Sequence, residues 1–195
     1  MQVIQIIRQK MLIRNLILAT SIFFISLVLG ALIGKNTVEG LMRQLGAVLE
    51  PLALTGKLTI LLFLIIFINN AIKALGIIFL GILLGLPSLL FIVLNGFILG
   101  GLGSALESVN GWRYVMASFL PHGVIEIPVI LLAAALGFTV GMESLKWLLR
   151  RESRVKLQLS NGLKVYVRWI LPGLAVAAII EVLVTPLLIG LVHAG

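Results

Sequence analysis

Long apolar runs separated by short polar segments dominate the pattern along this chain. Each run holds about 20 residues or more, the length of α-helix that crosses a hydrocarbon core of about 30 Å. Proline disfavours helix in the residue before it, so Gly85-Leu86-Pro87-Ser88 divides the longest run. The pattern predicts five transmembrane helices, at residues 13–33, 58–84, 87–106, 114–142 and 169–192.

Three basic residues, Arg8, Lys10 and Arg14, stand at the start of the first apolar run. A cleaved signal peptide also begins with basic residues, but its apolar core is usually only about 7–15 residues long and ends at a site with small residues. No convincing cleavage site follows residue 33. We therefore predict that residues 13–33 form an uncleaved first helix.

Two segments between the runs have patterns of their own. Residues 36–52 carry apolar positions at helical spacing, which predicts either an amphipathic helix at the membrane interface or a loop helix packed on the bundle. Residues 143–168 hold seven of the fifteen Lys and Arg residues. Within them, residues 155–167 alternate apolar and polar positions around Asn161-Gly162, which predicts a small β-hairpin because both turn residues tolerate positive φ.

The distribution of basic residues predicts the orientation of the helices. With the N-terminus inside, three Lys and Arg residues before the first helix and seven in 143–168 are cytoplasmic, against four outside. Cytoplasmic segments of membrane proteins are normally the more basic ones. We therefore expect a multi-pass protein of the cell membrane with a cytoplasmic N-terminus, a basic cytoplasmic loop at 143–168 and an external C-terminus.

Composition supports this class and excludes several chemistries. Hydrophobic residues make up 61% of the chain and charged residues 11%, whereas soluble domains average roughly 45–50% and 25%. The length allows a single membrane domain over residues 1–195. The basic residues behind the +8 net charge cluster at the ends of apolar runs, which indicates the lipid bilayer and not nucleic acid as partner. Without cysteine or aspartate, disulfides, thiolate metal sites and an aspartyl dyad are excluded.

Polar side chains inside the apolar runs form the candidate site. An acidic group at the bilayer centre costs about 2.5–3.5 kcal/mol on insertion scales, so it is expected to face the bundle interior and find partners. At a rise of about 1.5 Å per residue, polar residues of four helices reach a similar depth. The candidate residues are Asn69, Asn70, Lys73, Asn95, His122, Glu126, Glu181 and Thr185.

The fourth predicted helix concentrates this chemistry. His122 and Glu126 are four residues apart and therefore share one helix face. Prolines near them lack an N–H group, so we predict kinks that free backbone carbonyls there and in the fifth helix. The predicted kink residues are Pro121, Gly123, Pro128 and Pro186.

Several functions are compatible with such a polar layer. His122 and Glu126 could hold a divalent cation, the one cofactor that we consider. A desolvated Glu126 suits a proton-coupled carrier, and many transporters build substrate sites from broken helices near the midplane. The alternative is a structural hydrogen-bond network that locks the helices together. We expect no enzyme, because the chain has no His-Glu-x-x-His motif, no Cys nucleophile and no Ser in an evident triad.

Glycine pairs at the spacing Gly-x-x-x-Gly allow helices to approach closely. They could pack within the chain or support a homo-oligomer. The four pairs are Gly30/Gly34, Gly81/Gly85, Gly96/Gly100 and Gly137/Gly141.

Motifs from four of the predicted helices together resemble the stage II sporulation protein M family, once described as a domain of unknown function. The most specific segment is Pro121-His122-Gly123 with Glu126 and Pro128. The resemblance covers nearly the whole chain after the first helix. The other matching features are Asn69-Asn70, Gly81 and Gly85, Asn95-Gly96 and Gly100, and Glu181 with Thr185-Pro186.

This resemblance implies a five-helix membrane protein whose molecular function the family does not define. The family's namesake in sporulating bacteria is implied to act as a scaffold in a membrane complex with cell-wall hydrolases, so membrane or envelope proteins are the expected partners. Relatives also occur in organisms that make no spores, so sporulation itself is not implied. We therefore expect an all-α, non-enzymatic membrane scaffold or complex subunit. A transporter or ion-binding protein is the alternative.

Overall fold

A computed structural model describes residues 2–37, 40 and 58–194 of this chain, and in these ranges the regular structure is helical. The all-α class is thereby confirmed. In the segment 36–52, residues 36, 37 and 40 are helical, and its other residues lie outside the described part. The helices are α1 (Gln2–Ile33), α2 (Leu58–Leu80), α3 (Leu86–Leu148), α4 (Val155–Val165), α5 (Leu171–Leu183) and α6 (Thr185–Ala194), with a π-helical turn at Tyr166–Ile170.

Four helical stretches in the described part are long and apolar enough to cross a membrane. Their outward faces carry large apolar side chains such as Leu32, Ile60 and Ile72, each more than 60% exposed. Such faces suit contact with lipid chains, where no polar surface is needed. The four stretches are Lys10–Ile33, Ile60–Leu80, Leu86–Leu148 and Val155–Val192.

The third stretch reverses direction at Gly111, where φ is 78° and ψ is 166°. These angles are essentially restricted to glycine, which has no Cβ to clash with the backbone. Gly137 lies against Ser88, although about 50 residues between them would span about 75 Å in a straight helix. α3 is therefore a hairpin of two antiparallel helices, α3a (residues 86–110) and α3b (residues 112–148). The predicted loop between the third and fourth helices is reduced to this one glycine.

α3b is the central helix of the bundle, and its residues 133–141 are all buried. Two groups of buried apolar side chains surround it. The first joins α2, the π-helical turn and α5 to α3b, and the second joins α1, α3a and one residue of α2 to it. The first includes Ala71, Ile78, Ala133, Leu136, Ile170 and Leu174, and the second includes Ala19, Phe23, Ile77, Ile92, Ala134 and Phe138.

All four Gly-x-x-x-Gly pairs are packed within the chain. Gly81 lies against Gly137 of α3b, and Gly100 lies against the backbone of Leu27 in α1. A Cβ at any of these glycines would meet backbone or side-chain atoms of a neighbouring segment, so close helix approach requires glycine there. These residues are not available to a second protomer, and a homo-oligomer stays a prediction. The neighbours of the four pairs are Phe97 for Gly30/Gly34, Gly137 and Phe138 for Gly81/Gly85, Phe23, Ser26, Leu27 and Ala31 for Gly96/Gly100, and Ile77, Leu84, Gly85 and Ser88 for Gly137/Gly141.

The predicted β-hairpin at residues 155–167 is wrong, because α4 and the π-helical turn occupy this segment. Gly162 lies inside α4 and packs against Ile78 of α2. Tyr166 Oη donates a hydrogen bond of 3.0 Å to the Ala71 carbonyl, also in α2. Packing of this helix on α2 overrides the local turn preference of Asn161-Gly162, since propensity is a weak prior against tertiary contacts.

The predicted proline kinks have different outcomes along the chain. Within α3, the backbone leaves helical φ and ψ only at Gly111, so kinks at Pro121, Gly123 and Pro128 stay a prediction. Next to Pro186, the helix is interrupted at Val184, which separates α5 from α6.

Candidate functional site

A cavity of about 360 Å³ lies among α1, α2, both halves of α3 and α5. Its wall is mostly apolar, and six of the eight candidate residues line it. The structure therefore brings polar side chains of four helical segments into one space. The six residues are Asn69, Asn70, Asn95, His122, Glu126 and Glu181.

His122, Glu126 and Glu181 form the chemical centre of this cavity. Each is half-buried, and one ligand atom of each lies within 4.8 Å of the others. His122 and Glu126 meet because they are one turn apart on α3b. Glu181 comes from α5, which approaches α3b closely where Gly173 packs against Val129.

The hydrogen bonds around this centre are few. Glu126 Oε1 accepts one bond of 2.9 Å from Asn70 Nδ2 of α2. The Nδ1 atom of His122 is buried and has no hydrogen-bond partner among the described residues. Asn95 Nδ2 donates to the Phe91 carbonyl of its own helix at 2.8 Å, which leaves its amide oxygen as an acceptor for a ligand. The centre therefore keeps unused donor and acceptor capacity.

Two of the candidate residues do not line the cavity. Lys73 is exposed on α2 and interacts with Glu126 only electrostatically, without an ion pair in the described part. Thr185 is buried, and its hydroxyl donates to the Ile180 carbonyl at 3.4 Å across the α5–α6 junction. Thr185 therefore bonds within its own helical stretch and lies outside the cavity lining.

Several residues of the site or its supports were not among the candidates. Phe23 and Phe119 line the cavity, but apolar residues in an apolar helix carry no signal that distinguishes lining positions. Asn15 is 2% exposed on α1, and its Nδ2 donates to Thr139 Oγ1 at 2.9 Å. Asn15 is the one amide side chain in the first apolar run, and this was the signal that could have revealed the buried contact between helices.

The His122–Glu126–Glu181 cluster has the donor types of a divalent transition-metal site, one imidazole and two carboxylates. Three atoms that all lie within 4.8 Å of one another surround a point that is at most about 2.8 Å from each, so small side-chain rotations reach the usual bond lengths of about 2.0–2.2 Å. Two carboxylates in a low-dielectric interior also need a compensating positive charge. A bound divalent cation or protons would supply it, so the residues present fit a cation.

Residues 19–186 match the family model of stage II sporulation protein M. Searches of curated proteins and of solved structures find no match. The matched range contains all eight candidate residues and most of the described helices. Because the match covers most of the sequence, this apolar helical chain belongs to the stage II sporulation protein M family of membrane proteins.

Proposed function

We propose that this protein crosses the bilayer five times and binds a cation in the cavity among its helices. The reversal of α3 at Gly111 supports the five passes, because each half of the hairpin exceeds the roughly 20 residues that a span needs. The basic turn after α3b supports a cytoplasmic location for that end, as expected from the charge distribution. The N-terminus then lies inside and the C-terminus outside.

One observation carries the cation proposal. His122, Glu126 and Glu181 meet in a cavity, and most of their hydrogen-bond donors and acceptors have no partner among the described residues. A structural network would satisfy these groups with one another. Within the described part of the chain, only the bond between Asn70 and Glu126 joins two polar side chains of the cavity. The unpartnered Nδ1 of His122 further supports a ligand.

The cation proposal is tested by metal binding to purified protein in detergent. We expect Zn²⁺ or Mn²⁺ to bind with one ion per chain, measured by calorimetry and by metal content after dialysis. Glu126→Gln and Glu181→Gln are each expected to weaken binding by at least about tenfold, because each removes an anionic ligand. Glu107→Gln is the matched control, since Glu107 is exposed near Gly111 and outside the cavity.

Absence of binding to the unchanged protein would reject the cation site, as would equal binding by Glu126→Gln, Glu181→Gln and the control. A flux assay in liposomes then separates transport from a resident ion. Uptake of Zn²⁺ or Mn²⁺ that Glu126→Gln abolishes would support a transporter. Binding without flux would support an ion that stabilises the bundle.

A scaffold is the second proposed function, and it rests on family membership and on the tip of the α3 hairpin. Val109 and Trp112 beside Gly111 are 79% and 64% exposed, which suits contact with another membrane protein. We expect the protein to migrate above its monomer mass in extracts of its native membranes, and Val109→Ser with Trp112→Ser to reduce that mass. Trp169→Ser is the control, because Trp169 is equally exposed but lies in the π-helical turn, outside the tip of the α3 hairpin. A monomer in native membranes would contradict the scaffold.

A further inference from the structure

A second and larger cavity lies at the basic end of the bundle, which we define by the turns at residues 81–85 and 149–154. Its volume is about 930 Å³, within the roughly 300–1,000 Å³ range of small-molecule sites. We call it the basic groove. Its lining residues are Ile82, Leu83, Leu84, Leu86, Ser144, Trp147, Leu148, Ser153, Arg154, Val155, Lys156 and Leu157.

One wall of the basic groove is apolar and exposed. Leu83 in the turn between α2 and α3a and Leu86 at the start of α3a are 58% and 61% exposed, and Trp147 of α3b is 70% exposed. An apolar wall of this kind on a membrane-spanning protein suits an acyl chain. Tryptophan is also the side chain most typical of the boundary between the membrane and water.

The opposite rim of the basic groove is cationic. Arg154 and Lys156 line it, and both are exposed. Arg150 and Arg151 precede them in the same turn, against one carboxylate, that of Glu152, so residues 150–156 carry a net charge of +3. Neither Arg154 nor Lys156 forms an ion pair with a described residue.

Glu143 holds this rim in place. Its side chain is 6% exposed and pairs with Lys146 at 2.6 Å. Its Oε2 atom accepts a hydrogen bond of 2.7 Å from the backbone N–H of Arg154. The backbone at the start of α4 is therefore fixed, while the Arg154 guanidinium stays exposed and available to a ligand.

From this arrangement we infer that the basic groove binds one anionic phospholipid. One acyl chain of this lipid lies against Leu83, Leu86 and Trp147, and its phosphate contacts Arg154 and Lys156. An anionic phospholipid complements the groove, because its acyl chains match the apolar wall and its headgroup is opposite in charge to the rim. Phospholipids also surround a protein that is inserted in a bilayer. Basic clusters at the end of a transmembrane helix are a recurring means of binding anionic lipid headgroups.

The test measures lipid retention by native mass spectrometry of the full protein in detergent, with dioleoyl phosphatidylglycerol and dioleoyl phosphatidylcholine as probes. We expect one phosphatidylglycerol to bind in preference to phosphatidylcholine. The double variant Arg154→Gln with Lys156→Gln is expected to lower phosphatidylglycerol affinity about 30-fold, because each basic residue near the membrane surface contributes to the attraction. Lys164→Gln with Arg168→Gln is the matched control, which removes two exposed charges outside the groove.

A second variant tests the apolar wall while keeping every basic residue. Leu86→Trp places a larger side chain in the basic groove and is expected to reduce phosphatidylglycerol binding about tenfold or more, since each 1.4 kcal/mol of lost contact is a factor of ten. Inorganic phosphate at the same concentration as the lipid is expected to leave thermal stability unchanged, because it has no acyl chain.

Three results would overturn the proposal. Equal retention of the two lipids would exclude a site for an anionic headgroup. Equal losses in the two double variants would show diffuse attraction by the basic end. Unchanged binding by Leu86→Trp would place the lipid elsewhere, and this result stands even if Arg154→Gln with Lys156→Gln fails to fold.

Discussion

The side-chain amide of Asn70 on α2 donates a hydrogen bond of 2.9 Å to Glu126 on α3b. The two residues are 56 positions apart, and this bond links two helices inside the cavity. It also places the Glu126 carboxyl next to a neutral donor, so the other oxygen of that carboxyl remains available for a ligand.

Removing this bond is expected to lower stability modestly. Asn70→Ala should reduce the free energy of unfolding by about 0.5–2 kcal/mol, the range of hydrogen bonds between helices in membranes. The measurement is equilibrium unfolding in mixed micelles with increasing dodecyl sulfate. Asn69→Ala is the control, because Asn69 is exposed and its replacement removes the same amide group. Equal effects of the two variants would contradict a specific role for the bond.

Close packing of α1 on α3a predicts a clear difference between two glycines. A Cβ at Gly100 would collide with backbone atoms of Leu27 and Ala31, which cannot move aside easily. Gly100→Ala should therefore destabilise the protein by about 1–3 kcal/mol, as expected for overpacking. Gly76 has no neighbouring atom within 4 Å of such a Cβ. Gly76→Ala should be neutral or stabilise by up to about 1 kcal/mol, because alanine is the better helix former.

Thermal unfolding in detergent compares these two variants under the same conditions. A loss of stability in Gly76→Ala as large as that in Gly100→Ala would contradict the packing of α1 against α3a. It would indicate instead that any Cβ added to these helices is harmful.

The contacts of Glu143 are expected to protect the turn after α3b from proteases. Its carboxylate accepts the Arg154 N–H and pairs with Lys146. Glu143→Ala removes both contacts, so the turn at residues 149–154 should open more often and trypsin should cleave after Arg150 and Arg151 several times faster. Cleavage is followed by mass spectrometry of the fragments.

Glu152→Ala is the control for this experiment, because Glu152 is exposed in the same turn. Its removal changes the local charge without removing a described contact. Equal cleavage rates in Glu143→Ala and Glu152→Ala would show that charge alone governs access of trypsin to the turn.

Labelling of single introduced cysteines tests how often the chain crosses the membrane. The sequence contains no cysteine, so only the introduced residue can react. Asn110 and Arg151 are both exposed and lie near opposite ends of α3b. A membrane-impermeant maleimide should label Asn110→Cys from outside intact cells. It should label Arg151→Cys only in inverted vesicles. Labelling of both residues from the same side would reject a pass of α3b through the bilayer.

Much of the helical organisation was predictable from the sequence, because hydropathy is a local property and a span needs about 20 apolar residues. The predicted helix at residues 58–84 corresponds to α2, and the break near Pro87 corresponds to the turn before α3. The similar depth of Asn70, Asn95 and Glu126 followed from helical rise alone. The predicted β-hairpin at 155–167 was wrong, because the alternating pattern of this segment does not reveal the contact of Tyr166 with α2.

By itself, the sequence determined that this is a protein of apolar helices with polar residues at one depth, since both properties follow from the order of residues within each run. Only the tertiary structure decided that Glu181 joins His122 and Glu126, that the glycine pairs pack against other segments of the same chain, and that α4 is a helix. These features depend on which helix faces meet, and contacts between segments distant in sequence are set by the packing of the whole bundle.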